Sequence, residues 1–178
     1  MFWVSYERLP DGIRGTQRTL AVMAAAVRGE LPPNYSGFRD EHIRQTAIDT
    51  CVGVRGHDVL GEITALFFFV RDHIAYRFDP IDTERVQDAA TTLALQSGDC
   101  DDKCVLLATL LASMGHLPRF IAQSQDGLAF DHVYVEVTRG GEWLALDPTA
   151  DGTPGIQLAP IGWRNPAASE WIYKIFED

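Results

Sequence analysis

The sequence predicts an α+β domain, with helices first along the chain and antiparallel strands afterwards. Apolar residues recur at spacings of three and four over residues 58–75 and 100–114, which is the period of a helix. After residue 118 the pattern changes to short stretches that are rich in β-branched and aromatic residues and are separated by turn signals. This order of elements, without internal repeats, is typical of the α+β class.

Two amphipathic helices are expected before the central pattern. The first covers residues 16–28, with Thr16 as its N-cap candidate, and the second, which is weaker, covers residues 41–53. The chain is therefore expected to form one compact domain, in which residues 1–57 are an N-terminal helical extension packed on a core of residues 58–178.

The two core helices carry the clearest signals. The first has Asp58 as its N-cap candidate, and the second, over 100–114, ends where Gly115 and Pro118 stop a helix. Residues 76–98 between them predict a long connection, with a short helical segment at 91–96. The segments RFIAQS, HVYVEV and EWLALD predict strands, and EWIYKIF predicts a last strand.

The composition is that of a globular chain and argues against several partners. Its 178 residues are 46% hydrophobic and 22% charged, and 15 Lys and Arg face 25 Asp and Glu for a formal net charge of −10. Because nucleic acids and anionic membranes bind basic surfaces, neither is expected as a partner. The longest apolar run, 63–70, is far shorter than the roughly 20 residues of a membrane span.

The start of the chain and its cysteines indicate a reducing location. MFWVSYERLPDG has neither the basic nor the apolar region of a secretory signal. With three cysteines, at least one thiol stays unpaired within the chain, so no disulfide framework is expected. The expected location is cytoplasmic or associated with a phage particle.

Cys100 lies at a helix start that has opposing electrostatic effects. If Asp99 is the N-cap, Cys100 is the first helical residue, where the positive end of the helix dipole lowers a thiol pKa. Three nearby carboxylates raise that pKa, so Cys100 needs an imidazolium partner to be reactive. The alternative is an ordinary capped helix start, in which Asp99, Asp101 and Asp102 serve the cap or bind a cation such as calcium.

No metal site or cofactor is expected at the cysteines. Cys100 and Cys104 share one helical face, but zinc needs three or four ligands and the sequence has no second cysteine pair. Cys104 is predicted to be a small buried core residue.

A predicted hairpin supplies an imidazole, that of His132, as a partner for Cys100. With a two-residue turn at Arg139 and Gly140, the two strands pair so that His132 faces Asp147. Opposed residues on one face have Cβ atoms ~4.5–5.5 Å apart, within reach of an imidazole–carboxylate hydrogen bond. A slip by one residue would destroy this contact.

Together these segments resemble the transglutaminase-like core domain. The motif consists of SGDCDDKCVLLATLLASMGHLPRF followed by DHVYVEV and GGEWLALDPT, and LFFFVRDHIAYRFDP is similar to the family's preceding helix. The resemblance covers residues 58–150. The N-terminal RTLAVMAAAVRG is similar to stand-alone members from tailed phages and prophages.

This resemblance implies a papain/transglutaminase-like core, in which a central catalytic helix packs on an antiparallel sheet. It also implies a triad of Cys100 as nucleophile, His132 as general base and acid, and Asp147 as the orienting carboxylate. In this family-based mechanism the backbone N–H of Cys100 donates to the oxyanion of the tetrahedral intermediate. Gln96 and Tyr76 are the candidates for a second donor to that oxyanion. The implied function is a cysteine peptidase or amide hydrolase for a protein or peptide substrate. The alternatives are a protein-glutamine acyltransferase and a weakly active or structural phage-particle component.

Overall fold

A computed structural model describes residues 3–7, 12–31, 36–81, 83–124, 130, 132–149 and 169–176. Five helices lie in these ranges: α1 (Gly12–Arg28), α2 (Glu41–Thr50), α3 (Val59–His73), α4 (Ala89–Leu95) and α5 (Cys100–Ser113). Eight strands lie in the same ranges: β1 (Trp3–Glu7), β2 (Ala75–Tyr76), β3 (Thr83–Gln87), β4 (Ser97–Gly98), β5 (Pro118–Ser124), β6 (His132–Arg139), β7 (Glu142–Leu146) and β8 (Ser169–Lys174). Helices precede the main antiparallel sheet, which confirms the α+β prediction.

Helix α5 is the centre of the fold. Every residue from Asp101 to Ser113 is buried, because helices α1 to α4 and strand β6 all pack against it. From Cys104 to Ala112 its sequence is apolar except for Thr109, as an enclosed helix requires. Each fully buried leucine contributes ~1.5–3 kcal/mol through the area it removes from water. This packing holds the first residue of α5, Cys100, in a defined place.

The main sheet has the strand order β7-β6-β5-β8, and all of its neighbouring strands are antiparallel. One face carries Phe120, Val133 and Val135 into the same buried cluster as α5. The other face carries a second buried cluster of Ile121, Tyr134 and Ala145. The period-2 alternation of the strands therefore places Tyr134 and Glu136 of β6 on the face away from α5.

Strands β1 and β3 were not expected from the sequence. They pair antiparallel, with Trp3 opposite Gln87 and Glu7 opposite Thr83. The segment TERVQ is polar and lacks an apolar alternation, so its strand depends on pairing with a distant part of the chain. Helix α4 likewise begins earlier than the predicted 91, since Asp88 caps it by accepting from Thr91 N–H at 2.8 Å.

Two helix boundaries also differ from expectation. Helix α1 begins at Gly12, so Thr16 lies inside it and is not its N-cap. Helix α2 ends at Thr50, with Cys51 as its C-cap. Helix α3 follows the predicted pattern, and Asp58 caps it through a bond from Gly61 N–H at 3.0 Å. In the described ranges, no helix is both long and apolar enough to cross a membrane.

The register predicted for the β6–β7 hairpin is wrong by two residues. Arg139 pairs with Glu142 and Val135 with Leu146, so the turn is Gly140-Gly141 and not Arg139-Gly140. Both glycines have positive φ, 61° and 88°. Two-residue hairpin turns of type I′ need positive φ at both central positions, which glycine adopts without the steric cost that arginine would meet.

Candidate active site

Cys100 opens helix α5 within a capping box. The Asp99 carboxylate accepts from the backbone N–H groups of Asp101 at 3.1 Å and Asp102 at 3.3 Å. In return, the Asp102 carboxylate accepts from Asp99 N–H at 3.4 Å. A cap of this kind satisfies helix donors that would otherwise lack partners. The capping box fixes the backbone at the start of α5, from which the Cys100 side chain extends.

Gln87 of β3 joins this cap from outside the helix. Its backbone N–H donates to Asp102 Oδ1 at 2.8 Å, and its side-chain amide donates to Asp102 Oδ2. The glycine at position 98 allows β4 to lie close to Asp102, because a Cβ atom there would lie 2.4 Å from Asp102 Cβ. Burial raises the pKa of Asp102 to about 6, although the hydrogen bonds from Gln87 act in the opposite direction.

His132 and Asp147 are in direct contact. His132 Nε2 lies 2.8 Å from Asp147 Oδ2, and the other carboxylate oxygen, Oδ1, accepts from Thr149 N–H at 3.0 Å and from the Thr149 hydroxyl at 2.6 Å. Burial raises the pKa of Asp147, but the bonds from His132 and Thr149 outweigh it, so the net effect lowers the pKa below its usual value. Asp147 is therefore a carboxylate at neutral pH.

The contact between His132 and Asp147 forms in a different hairpin register from the one that the sequence predicts. In the observed register, His132 lies diagonally across from Asp147 and not directly opposite. A shift by two residues keeps every side chain on its original face, whereas a shift by one would reverse them. Diagonal neighbours lie within reach of a long side chain such as histidine, so the pair forms despite the wrong register.

Cys100 lies against the start of β6. The backbone of Val133, the residue that follows His132, forms a hydrogen bond that favours the thiolate of Cys100. One turn further along α5, Cys104 Sγ donates to Val133 O at 3.4 Å. Cys104 is fully buried, which confirms the prediction of a core position. Both cysteines therefore hold the beginning of α5 against β6, the strand that contains His132.

Burial and the acidic neighbours of Cys100 oppose ionisation of its thiol. Burial raises its pKa well above the usual range, and the charges of Asp101 and Asp99 raise it further. The thiol donates to Asp101 Oδ1 across 3.6 Å. Burial, the Asp99 charge and a hydrogen bond with Glu84 raise the pKa of Asp101 in turn. The sequence predicted that nearby carboxylates would raise the Cys100 pKa, and the structure shows this effect.

Of the two oxyanion candidates, the structure brings Tyr76 to Cys100. Burial raises the pKa of Tyr76, and its proximity to Cys100, Asp99 and Asp101 raises it further. Parallel pairing of β2 with β4 places Tyr76 beside Gly98, two residues before Cys100. Gln96 has an exposed side chain, a left-handed backbone (φ 50°) and no hydrogen bond to Cys100.

Three contributing residues were missed in the sequence. Thr149 anchors Asp147, and its place two residues after an aspartate is a turn signal that could have revealed it. Glu84 and Gln87 lie on β3, in a segment where no strand was expected, so no local signal identified them. Within the described ranges, no group of three or more His, Cys, Asp or Glu could hold a metal ion.

The helices and the antiparallel sheet form a papain/transglutaminase-like core. The chain belongs to the transglutaminase-like superfamily, whose family model matches residues 49–148, more than half of its length. The match includes Cys100, His132 and Asp147. Comparison with curated proteins gives no significant match.

The solved structures that share the fold include the following two proteins. A Parabacteroides distasonis protein, proposed to be a protease, is 14% identical with a TM-score of 0.55, and the match covers 72% of this chain and 26% of that one. A Cytophaga hutchinsonii protein, proposed to be a cysteine protease, is 12% identical with a TM-score of 0.51, and the match covers 99% of this chain and 64% of that one. This chain therefore corresponds to only part of either protein.

Proposed function

We propose that this protein is a cysteine peptidase or amide hydrolase that acts on a protein or peptide substrate. Cys100 is the nucleophile, His132 the general base and then acid, and Asp147 the group that orients the imidazole. The observation that carries the proposal is the 2.8 Å bond between His132 Nε2 and Asp147 Oδ2, at the strand end against which Cys100 lies. Such a carboxylate fixes the histidine tautomer and stabilises the imidazolium.

The raised pKa of Cys100 favours a general-base mechanism over a preformed thiolate–imidazolium pair. Burial and two aspartates hold the proton on sulfur in the resting state. The proton then moves to His132 as the sulfur attacks the substrate carbonyl, and the lowered pKa of Asp147 keeps a negative charge available for the imidazolium.

The chemistry proceeds through a thioester. The sulfur bonds to the carbonyl carbon, and the carbonyl electron pair moves to oxygen, where the Cys100 N–H and the Tyr76 O–H stabilise it. When the intermediate collapses, the C–N bond breaks, and His132 gives its proton to the departing amine. Water then attacks the thioester while His132 takes a proton from it. The C–S bond breaks, His132 returns that proton to the Cys100 sulfur, and the carboxylic acid leaves.

A small activated ester tests this proposal without knowledge of the substrate. With p-nitrophenyl acetate, we expect a burst of p-nitrophenol that reflects acetylation of Cys100, followed by slower hydrolysis. The burst should be absent in Cys100→Ala and greatly slowed in His132→Ala, and Cys51→Ala is the matched cysteine control. A burst that persists in Cys100→Ala, or that His132→Ala leaves unchanged, would contradict the proposed triad.

The same assay separates hydrolysis from acyl transfer. The acetyl thioester is released to water in a hydrolase, whereas an added primary amine captures it in an acyltransferase. A glutamine-containing peptide and a labelled amine repeat the comparison on a protein-like donor. Amine incorporation that outpaces hydrolysis would replace the hydrolase assignment with that of a transglutaminase.

A further inference from the structure

Lys103 is a buried lysine on α5, three residues after Cys100. Its side chain is 0% exposed, and its Nζ donates to Ile74 O at 2.7 Å and to Arg71 O at 3.2 Å. A buried ammonium group loses its hydration, which is unfavourable unless hydrogen bonds replace it. A methionine would fill similar space without this loss. What lysine adds here is therefore its charge and its bonds to two main-chain carbonyls.

These two carbonyls lie at the end of α3. The last carbonyl groups of a helix have no partner within the helix, and the negative end of the helix dipole favours a cation beside them. Lys103 supplies both a donor and a positive charge from the neighbouring helix. Since α3 ends at His73, with Ile74 as its C-cap, the ammonium group fixes the point where the chain leaves α3.

The chain that leaves α3 at this point leads directly to Tyr76. Ile74 is followed by β2, whose two residues are Ala75 and Tyr76. Strand β2 is also bound to β4, and just beyond it Arg77 N–H donates to Gly98 O at 2.9 Å. Tyr76 is therefore placed by two attachments, one to the strand that precedes α5 and one to the ammonium group on α5 itself.

We propose that Lys103 is a positioning residue, whose ammonium group holds the junction of α3 and β2 so that the Tyr76 hydroxyl lies where the oxyanion forms at Cys100. This inference rests on the proposed function, in which Tyr76 is the second donor to the oxyanion. The nucleophile and the donor keep a fixed separation because both are attached to the first turns of α5. Reaction rates depend steeply on such separations, since a displacement of ~1 Å can slow catalysis about 10²-fold.

A double-mutant cycle with p-nitrophenyl acetate tests this role. Lys103→Met removes the ammonium group but keeps an unbranched side chain, and we expect it to slow the acetylation burst by about 10–10²-fold. Tyr76→Phe removes the hydroxyl that Lys103 positions. In the Tyr76→Phe background, the addition of Lys103→Met should therefore slow the burst by less than about twofold. A merely structural role would give the same factor in both backgrounds.

Arg44→Met is the matched control. Arg44 Nη1 donates to Ser113 O at 2.6 Å, so it is also a cation that binds a main-chain carbonyl at a helix end. Ser113 is the last residue of α5, ~20 Å from Cys100 along a helix that rises 1.5 Å per residue. We expect Arg44→Met to leave the rate constant of the burst unchanged. The burst amplitude reports the folded fraction separately, so partial unfolding does not imitate a loss of positioning.

The cycle has outcomes that would overturn the positioning role. One is a Lys103→Met rate constant within about twofold of wild type, and another is a loss of more than about twofold in the Tyr76→Phe background. If circular dichroism shows that Lys103→Met does not fold, Lys103→Gln, which keeps an amide donor, replaces it in the cycle with an expected loss of about threefold or more. Failure of both variants to fold would assign Lys103 to stability alone and would also overturn the role.

Failure of the proposed function gives a different result. In that case the wild-type burst would not depend on Cys100 and His132. A burst that depends on both residues but is unchanged in Tyr76→Phe would overturn the role of Lys103 and leave the triad in place.

Discussion

Removal of the Asp102 charge should change how stability depends on pH. Asp102 is only 2% exposed, and burial raises its pKa to about 6 from an ordinary value of 3.8. As pH rises, the carboxyl therefore ionises first in the unfolded chain, so the folded state loses stability from about pH 4 through pH 6. A difference of about two pKa units corresponds to ~3 kcal/mol once both states are ionised.

The variant Asp102→Asn abolishes this titration. Asparagine keeps an oxygen for Gln87 N–H but loses the second acceptor that Asp99 N–H uses, so at pH 4 we expect the variant to be less stable by ~1 kcal/mol. Between pH 4 and pH 8 the wild type should lose roughly 2–3 kcal/mol relative to the variant. The variant should therefore be the more stable protein at pH 8.

Urea denaturation at several pH values measures this difference directly. Asp58→Asn, at the exposed N-cap of α3, serves as the control, because it alters a helix cap without entering the buried acidic cluster. The reasoning is refuted if the wild type and Asp102→Asn differ by the same free energy of unfolding at pH 4 and at pH 8.

Three further substitutions follow from the site. Asp147→Asn should slow acetylation by p-nitrophenyl acetate by up to about 10⁴-fold, because the imidazole loses its orienting charge; stopped-flow rates within tenfold of wild type would contradict this. Tyr76→Phe should lower kcat by about 10²–10³-fold with little effect on KM, as expected for a donor to the oxyanion; steady-state kinetics with a change in KM alone would contradict that role. Gly98→Ala should destabilise the fold by ~1–3 kcal/mol, because the new Cβ atom would lie 2.4 Å from Asp102 Cβ; an unchanged thermal midpoint would show that the chain accommodates it.

The helices that position Cys100 were predictable because their signals are local. Asp58 and Asp99 cap helices whose apolar spacing is visible in the sequence, and both caps are present. Strand β3 could not be found in the same way. Its residues are polar, and it is stabilised by pairing with β1, which lies near the start of the chain. The hydrogen bonds from Gln87 to the Asp102 cap were therefore also beyond local inference.

The contact between His132 and Asp147 was predictable even though the register was not. Turns at Arg139-Gly140 and at Gly140-Gly141 give registers that differ by two residues, and both registers keep His132 and Asp147 on one face. Positive φ at both turn positions selects the pair of glycines. The choice between Tyr76 and Gln96 depended instead on the pairing of β2 with β4, a non-local contact that no spacing in the sequence specifies.

The location of the acetyl group after reaction with p-nitrophenyl acetate tests the central claim most directly. Peptide mapping by mass spectrometry at neutral pH distinguishes the three thiols, and hydroxylamine release identifies a thioester. The triad predicts acetyl at Cys100 within the burst, with Cys51 and Cys104 unmodified, and loss of this selectivity in His132→Ala. Equal modification of Cys100 and Cys51, unaffected by His132→Ala, would contradict the assignment of Cys100 as the nucleophile.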